Sequence, residues 1–255
     1  MKTPHDILSD GELRHTRDAR GVHWLTLNSP ATFNALGESM LQQLQQAIDR
    51  VATDDAARAV VLGAEGKAFC AGHNLKEMKA RPELAYYQQL FAQCTRMMLA
   101  LRKLPVPVIA CVQGIATAAG CQLVAQCDLA VAAEGVRFGA NGIDVGLFCA
   151  TPSVPLSRNM QPKQAMEMLV TGGFIDAAEA QRRGLVNRVV QVEQLDQELE
   201  SLLQAILAKP RLALAMGKQL FYQQAEMGIE AAYQLAGQTM ACNMIDEVAQ
   251  EGVQA

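Results

Sequence analysis

PVPVIACVQGIATAAGCQLVAQCDLAVAAEGVRFGAN, running from Pro105 to Asn141, is the stretch from which the rest of the chain is read. Val106 to Val112 is almost wholly apolar behind Pro105, as expected of a strand buried on both faces. Gly114 ends it, and Ala116, Ala118, Ala119 and Gly120 follow with almost no side chain before a helical pattern through Val124. Asp128 to Ala133 reads as a second buried strand. Small residues between a buried strand and a helix let a ligand approach the backbone closely. They also leave the first N–H groups of the helix unbonded and aimed at that ligand, an arrangement that stabilises an anion. Taken alone, the cluster is explained equally well by tight packing of a helix on a sheet.

A second stretch favours the anion site. Arg58 to Leu62 is a strand candidate, Gly63 to Gly66 turns, and KAFCAGHNLKEM (Lys67 to Met78) follows with the small-residue turn Cys70-Ala71-Gly72 leading into a helical start. Two strand–turn–helix units, each with free N–H groups, make a two-donor oxyanion hole. With LTLNSPATFNAL (Leu25 to Leu36) and FGANGIDVGL (Phe138 to Leu147), these motifs resemble the enoyl-CoA hydratase/isomerase (crotonase) superfamily, over nearly the whole chain up to Met244. The GHNLKE, AAGCQLVA, CDLAVA and VGLFC runs resemble the branch called enoyl-CoA hydratase domain-containing protein 3.

Composition sets bounds independently of that resemblance. The 255 residues are half apolar and carry a net charge of −4 without a basic block, which argues against a nucleic-acid partner. The seven cysteines are scattered without a CxxC pair and there are four histidines, so no metal site is expected. Most cysteines lie in apolar runs and read as small core residues of a reduced compartment. No apolar leader follows Met1 and nothing approaches eighteen consecutive apolar residues, so no membrane partner is expected. A cytoplasmic location is expected, or a mitochondrial one where a transit peptide has been removed.

Along the chain, residues 1 to 11 are polar and read as loose. Leu13 to Leu27 predicts a hairpin about Asp18-Ala19-Arg20-Gly21, with Val22, Trp24 and Thr26 on one face. A helix from about Glu38 carries a stripe of Met40, Leu41, Leu44, Ile48 and Val51. Leu75 to Ala80 is helical, and a long helix after Pro82 presents Leu90, Phe91, Cys94, Met97, Met98, Leu101 and Leu104, a core stripe and not a cofactor site. The repeat of strands, loop and helix predicts an α/β fold with helices covering the sheet faces. The resemblance implies more: a crotonase-like spiral of strand–strand–helix turns over residues 1–161, and a C-terminal helical oligomerisation region over 162–255 that packs trimers, often paired into hexamers. Past Pro162 the chain is almost all helix except Leu185 to Val190, with one stripe at Leu195, Leu199, Leu202, Ile206 and Leu207 and another at Ile229, Ala232, Tyr233, Ala236 and Met240.

For the site, the resemblance implies an acyl-CoA thioester whose enolate oxygen is held by the N–H groups of His73 and Ala119. Ser29, Ala31, Phe33, Ala71, Asn74 and Leu75 fall where the family lines the CoA pocket; Ser29 and Ala31 lack the cationic side chains often found there. No cofactor is implied, since coenzyme A is part of the substrate. Hydration also needs a carboxylate pair to position water and move its proton. Gln122 and Gly142 stand at the two positions where the family has glutamates, and Ala150 stands where some branches have an aspartate. All three are vacant, so ordinary hydration is not expected. Asp144 nearby reads as a turn or cap contact. His73 matches a decarboxylase branch, where loss of CO2 itself makes the enolate and no strong base is required; that branch's tyrosine is Cys149 here. A Cys149 nucleophile lacks a histidine base. Three readings remain: an acyl-CoA enzyme of lipid metabolism that relies on its oxyanion hole, a decarboxylase using His73, and a non-catalytic acyl-CoA binder. GxGxxG, P-loop and GxSxG motifs are absent.

Overall fold

Leu13 to Leu27 forms the expected hairpin, and the computed structural model, which describes residues 5–254, builds a sheet outward from it. Strands β1 (His5–Ser9), β2 (Leu13–Asp18) and β3 (Val22–Leu27) pair antiparallel. Residues 5–9, expected to be loose, are therefore an edge strand; residues 1–4 lie outside the described residues. On β3 the buried face is that of His23, Leu25 and Leu27, while Trp24 and Thr26 on the other face are only half-buried. Helix α1 (Glu38–Ala52) lays its expected stripe against this sheet with Met40, Leu41, Leu44, Ile48 and Val51 all buried.

From here the chain alternates between two sheets. Strand β4 (Ala59–Ala64) joins β3 in parallel, and β5 (Ala68–Cys70) leaves to start a second sheet. Helices α2 (Leu75–Ala80) and α3 (Leu84–Lys103) bring the chain back, and Leu90, Cys94, Met97, Met98 and Leu101 of α3 are buried. Next come β6 (Val108–Val112) in the first sheet, β7 (Ile115–Thr117) in the second, and α4 (Ala119–Gln126). The following turn is β8 (Leu129–Ala133), β9 (Arg137–Gly139), α5 (Ala150–Asn159) and α6 (Pro162–Thr171). Then β10 (Phe174–Asp176), α7 (Ala177–Arg182) and β11 (Arg188–Val190) complete the sheets in the orders β1-β2-β3-β4-β6-β8-β11 and β10-β9-β7-β5. This is the spiral of strand–strand–helix turns. β10 and β11, which lie beyond residue 161, are strands of the same two sheets.

Helix α8 (Leu195–Leu207) buries Leu195, Leu199, Leu202, Leu203 and Ile206 in that core. Helices α9 (Arg211–Gln224), α10 (Ile229–Met244) and α11 (Glu247–Gln254) differ: Phe221, Ile229, Tyr233, Met240 and Ile245 are exposed, and only Ala232 of the second C-terminal stripe is buried. No helix among the described residues is long and apolar enough to cross a membrane.

The hairpin holds a buried polar chain. His15 Nε2 lies 2.9 Å from His23 Nδ1, and His23 Nε2 lies 2.9 Å from Asp54 Oδ2, which also pairs with Arg17 at 3.0 Å. One proton per ring satisfies this chain; a second proton on His23 would face the His15 N–H. Burial, then the neighbouring His23 and Arg50, pushes His15 down to about 4, and burial also lowers His23. Both rings are neutral when folded yet take protons near 6.5 when unfolded. Stability is therefore expected to be full above about pH 6.5 and to fall as pH drops from there toward 4. A melting-temperature series over that range checks this, with His15→Leu expected to flatten the slope.

Candidate active site

The first of the two turns is fixed by the loop beside it. Ala71 N–H donates to Phe33 O at 3.0 Å, and Leu36 N–H donates to Gly72 O at 2.7 Å, in a bridge between Leu36 and His73. Gly72 sits at φ +90°, and a Cβ there would lie 2.9 Å from Ala118 Cβ and 3.2 Å from Ala119 N, so only glycine lets the two turns touch. The second turn begins with Ala118 N–H bonded to Gly139 O at 2.9 Å. Ala118 itself is held at φ 49°, ψ −121°, a conformation L-residues avoid. Gly120 then presses α4 onto the end of β5, where a Cβ would lie 2.2 Å from Cys70 O.

These contacts bring His73 and Ala119 to the wall of one cavity, and among the described residues neither backbone N–H has a hydrogen-bond acceptor. The cavity is about 270 Å³ and mostly apolar, walled by Leu75, Met78, Phe91, Leu147 and Phe148. No aspartate, glutamate, lysine or arginine lines it. Its polar side chains are His73, Thr117, Asn141, Cys149 and Thr151.

The His73 side chain shares the wall with its own N–H. Nδ1 is 3.2 Å from Leu36 O, the ring meets Phe91 edge-on at 5.4 Å, and Nε2 is buried without a partner. Donation from Nδ1 to the carbonyl leaves Nε2 as the bare acceptor. Burial holds its pKa below the ordinary histidine value, so the ring is neutral at pH 7. Cys149, 6% exposed, accepts from Gly142 N–H at 3.3 Å, and burial raises its thiol. Cys70 and Cys121 are pushed up to about 12 by burial and are inert core thiols.

The other expected site residues divide. Ala71, Leu75, Gly142 and Ala150 line the cavity. Gln122 does not: it is 4% exposed, with Oε1 buried and unpartnered. Ser29, Ala31 and Phe33 lie outside the cavity wall around a short helical turn, Pro30–Thr32, with Ala31 and Phe33 exposed. Asn74 spends its polar atoms capping α2, accepting from Lys76 N–H at 3.1 Å and donating to Glu77 Oε1 at 2.8 Å. Asp144 is exposed and lies against Gly172. Gly142 is not at positive φ; its constraint is steric, because a Cβ there would lie 2.4 Å from Leu147 O and 2.9 Å from Cys149 Sγ. Thr117 and Asn141 are cavity residues that sequence reasoning missed, although a lone hydroxyl in an alanine run and an asparagine beside the vacant Gly142 were signals for them. No group of three or more metal-ligating side chains is assembled among the described residues.

With this geometry in hand, likeness to known proteins is informative. The enoyl-CoA hydratase/isomerase family profile matches residues 17–255. The enoyl-CoA hydratase domain-containing protein 3 of Rattus norvegicus, a mitochondrial protein, is 41% identical over 247 residues, covering 97% of this chain and 82% of the rat protein. The crystal structure of its human counterpart superposes with a TM-score of 0.92 at 39% identity, covering 96% of each chain. An enoyl-CoA hydratase of Mycobacterium smegmatis superposes at 0.95 with 60% identity, again covering 96% of each. The two turns, the spiral that aligns them and these matches together make this chain a member of the enoyl-CoA hydratase/isomerase family.

Proposed function

We propose that this protein binds acyl-CoA thioesters in lipid metabolism and stabilises a thioester enolate between the His73 and Ala119 N–H groups, without the acid–base pair that ordinary hydration requires. The observation that carries this reading is the pairing of two acceptor-free N–H groups on an apolar cavity with no carboxylate in its wall. Oriented donors of this kind contribute about 3 kcal/mol each where negative charge develops on oxygen. Reactions that make an enolate without a strong base suit such a site, and so does binding without turnover.

Calorimetric titration with butyryl-CoA tests the reading, with saturable binding below millimolar ligand expected. Absence of heat and of competition at millimolar thioester would refute it. The decarboxylase alternative has one observation behind it, the presence of His73 in the cavity wall; CO2 release from a malonyl-type thioester separates the two.

The chain is also proposed to assemble as a trimer or hexamer through the 162–255 region, since Ile229, Tyr233, Met240 and Ile245 leave an apolar face open on a single chain. Light scattering at micromolar protein checks this, and a monomer would overturn it. The seven free thiols suit a reducing compartment, cytoplasmic or mitochondrial.

A further inference from the structure

We infer that Thr117 and Asn141 form a polar subsite in the acyl cavity that selects an acyl chain carrying a neutral oxygen near its thioester end, a 3-oxoacyl or 3-hydroxyacyl chain in preference to a saturated one. The inference rests on the acyl-CoA reading above. Register brings the pair together: Thr117 closes β7 opposite Gly139 of β9, and Asn141 follows two residues later. Thr117 Oγ1 donates to Asn141 Oδ1. That bond uses the only hydroxyl proton and turns the amide, so that Asn141 Nδ2 keeps two donors with no acceptor among the described residues.

Both residues line a cavity that is otherwise mostly apolar. A saturated chain filling it would strip water from the Asn141 amide and leave its donors unpaired, which is unfavourable. A chain with a carbonyl or hydroxyl oxygen replaces that water. The position along the chain follows from connectivity. Thr117 is two residues before the Ala119 donor, so their Cα atoms are at most about 7 Å apart. The subsite is therefore at the carbonyl end of the acyl group and not at its tail. Charge limits the choice further. No lysine or arginine lines the cavity, and buried His73 is neutral, so a carboxylate would enter without a counter-charge.

Calorimetric titration of the full-length protein with butyryl-, 3-hydroxybutyryl-, acetoacetyl- and malonyl-CoA tests this. About tenfold tighter binding of an oxygenated neutral thioester than of butyryl-CoA is expected, the size of a single hydrogen bond whose loss leaves a donor unpaired. The double variant Thr117→Val, Asn141→Leu is expected to lose the preference, and Thr117→Ser is expected to keep it. Equal wild-type affinities for butyryl-, 3-hydroxybutyryl- and acetoacetyl-CoA would overturn the subsite while leaving acyl-CoA binding intact, and this comparison needs no variant to fold. A preference that survives in the double variant would reduce the pair to a brace between β7 and β9. Tightest binding of malonyl-CoA would overturn the neutral-oxygen assignment. If no thioester binds, the subsite falls together with the acyl-CoA reading.

Discussion

Crotonyl-CoA hydration by this protein is expected to run about 10²–10⁴-fold slower than in a carboxylate-bearing relative, which is what general acid–base catalysis contributes. The cavity wall holds no acidic side chain, so nothing there can take a proton from water and return it to the α-carbon. His73 is no substitute, because its Nε2 is buried away from solvent water. Spectrophotometric assay of the unmodified protein is the direct check. A kcat of about 10² s⁻¹ or more, in the upper part of the usual enzyme range, would overturn the assignment. Restoring the missing pair by substitution is a less direct test. Gly142→Glu drives a Cβ to 2.4 Å from the Leu147 carbonyl, a backbone atom that cannot step aside cheaply. Gln122→Glu alone puts a carboxyl where the amide oxygen is buried and unpartnered, and burial holds such a group protonated. Neither single change is expected to restore hydration.

Lys218→Met is expected to lower stability by about 3 kcal/mol, the low end of the range for removing one partner of a buried ion pair. Lys218 Nζ is 2.7 Å from Asp128 Oδ2 and also donates to Val106 O at 3.0 Å and Leu101 O at 3.2 Å. Tyr222, one turn further along α9, donates to Asp128 Oδ1 at 2.7 Å. The side chains of Lys218 and Asp128 are 8% and 14% exposed, so water is a poor replacement. Val108 N–H and Tyr222 still hold the carboxylate in the variant, which is why the low end applies. For a chain of this size the expected fall in melting temperature is about 6–12 °C. Adding Asp128→Asn to Lys218→Met should recover part of it, because the unpaired buried charge is then gone. A double variant less stable than the wild type by the full sum of the two single changes would refute the ion-pair account. The same cluster fastens α9 to the ends of α3 and β6, so the α9 part of the C-terminal region is anchored to the core of its own chain.

Long periodic segments were legible from sequence because helical burial repeats within a single element. The stripe of α1 is buried as its spacing implies, and so are those of α3 and α8 apart from half-buried Leu207 and Phe91, the latter of which lines the cavity instead. The close approach of the two small-residue turns was legible because residues without side chains permit it. The strands of the second sheet were not legible: β5, β7, β9 and β10 are three residues each, too short to show a period of two. The core face of β3 was not legible, because Val22 is buried along with His23 and alternation in six residues cannot say which face meets α1. Nor could sequence pair His15 with His23 and Asp54, or Thr117 with Asn141, since strand register and the course of the spiral decide those contacts. By itself the sequence determined which residue types stand in the two small-residue turns and at positions 122, 142 and 150. Only the tertiary structure decided which polar side chains line the cavity, because residues 24 positions apart meet there only through the pairing of β7 with β9.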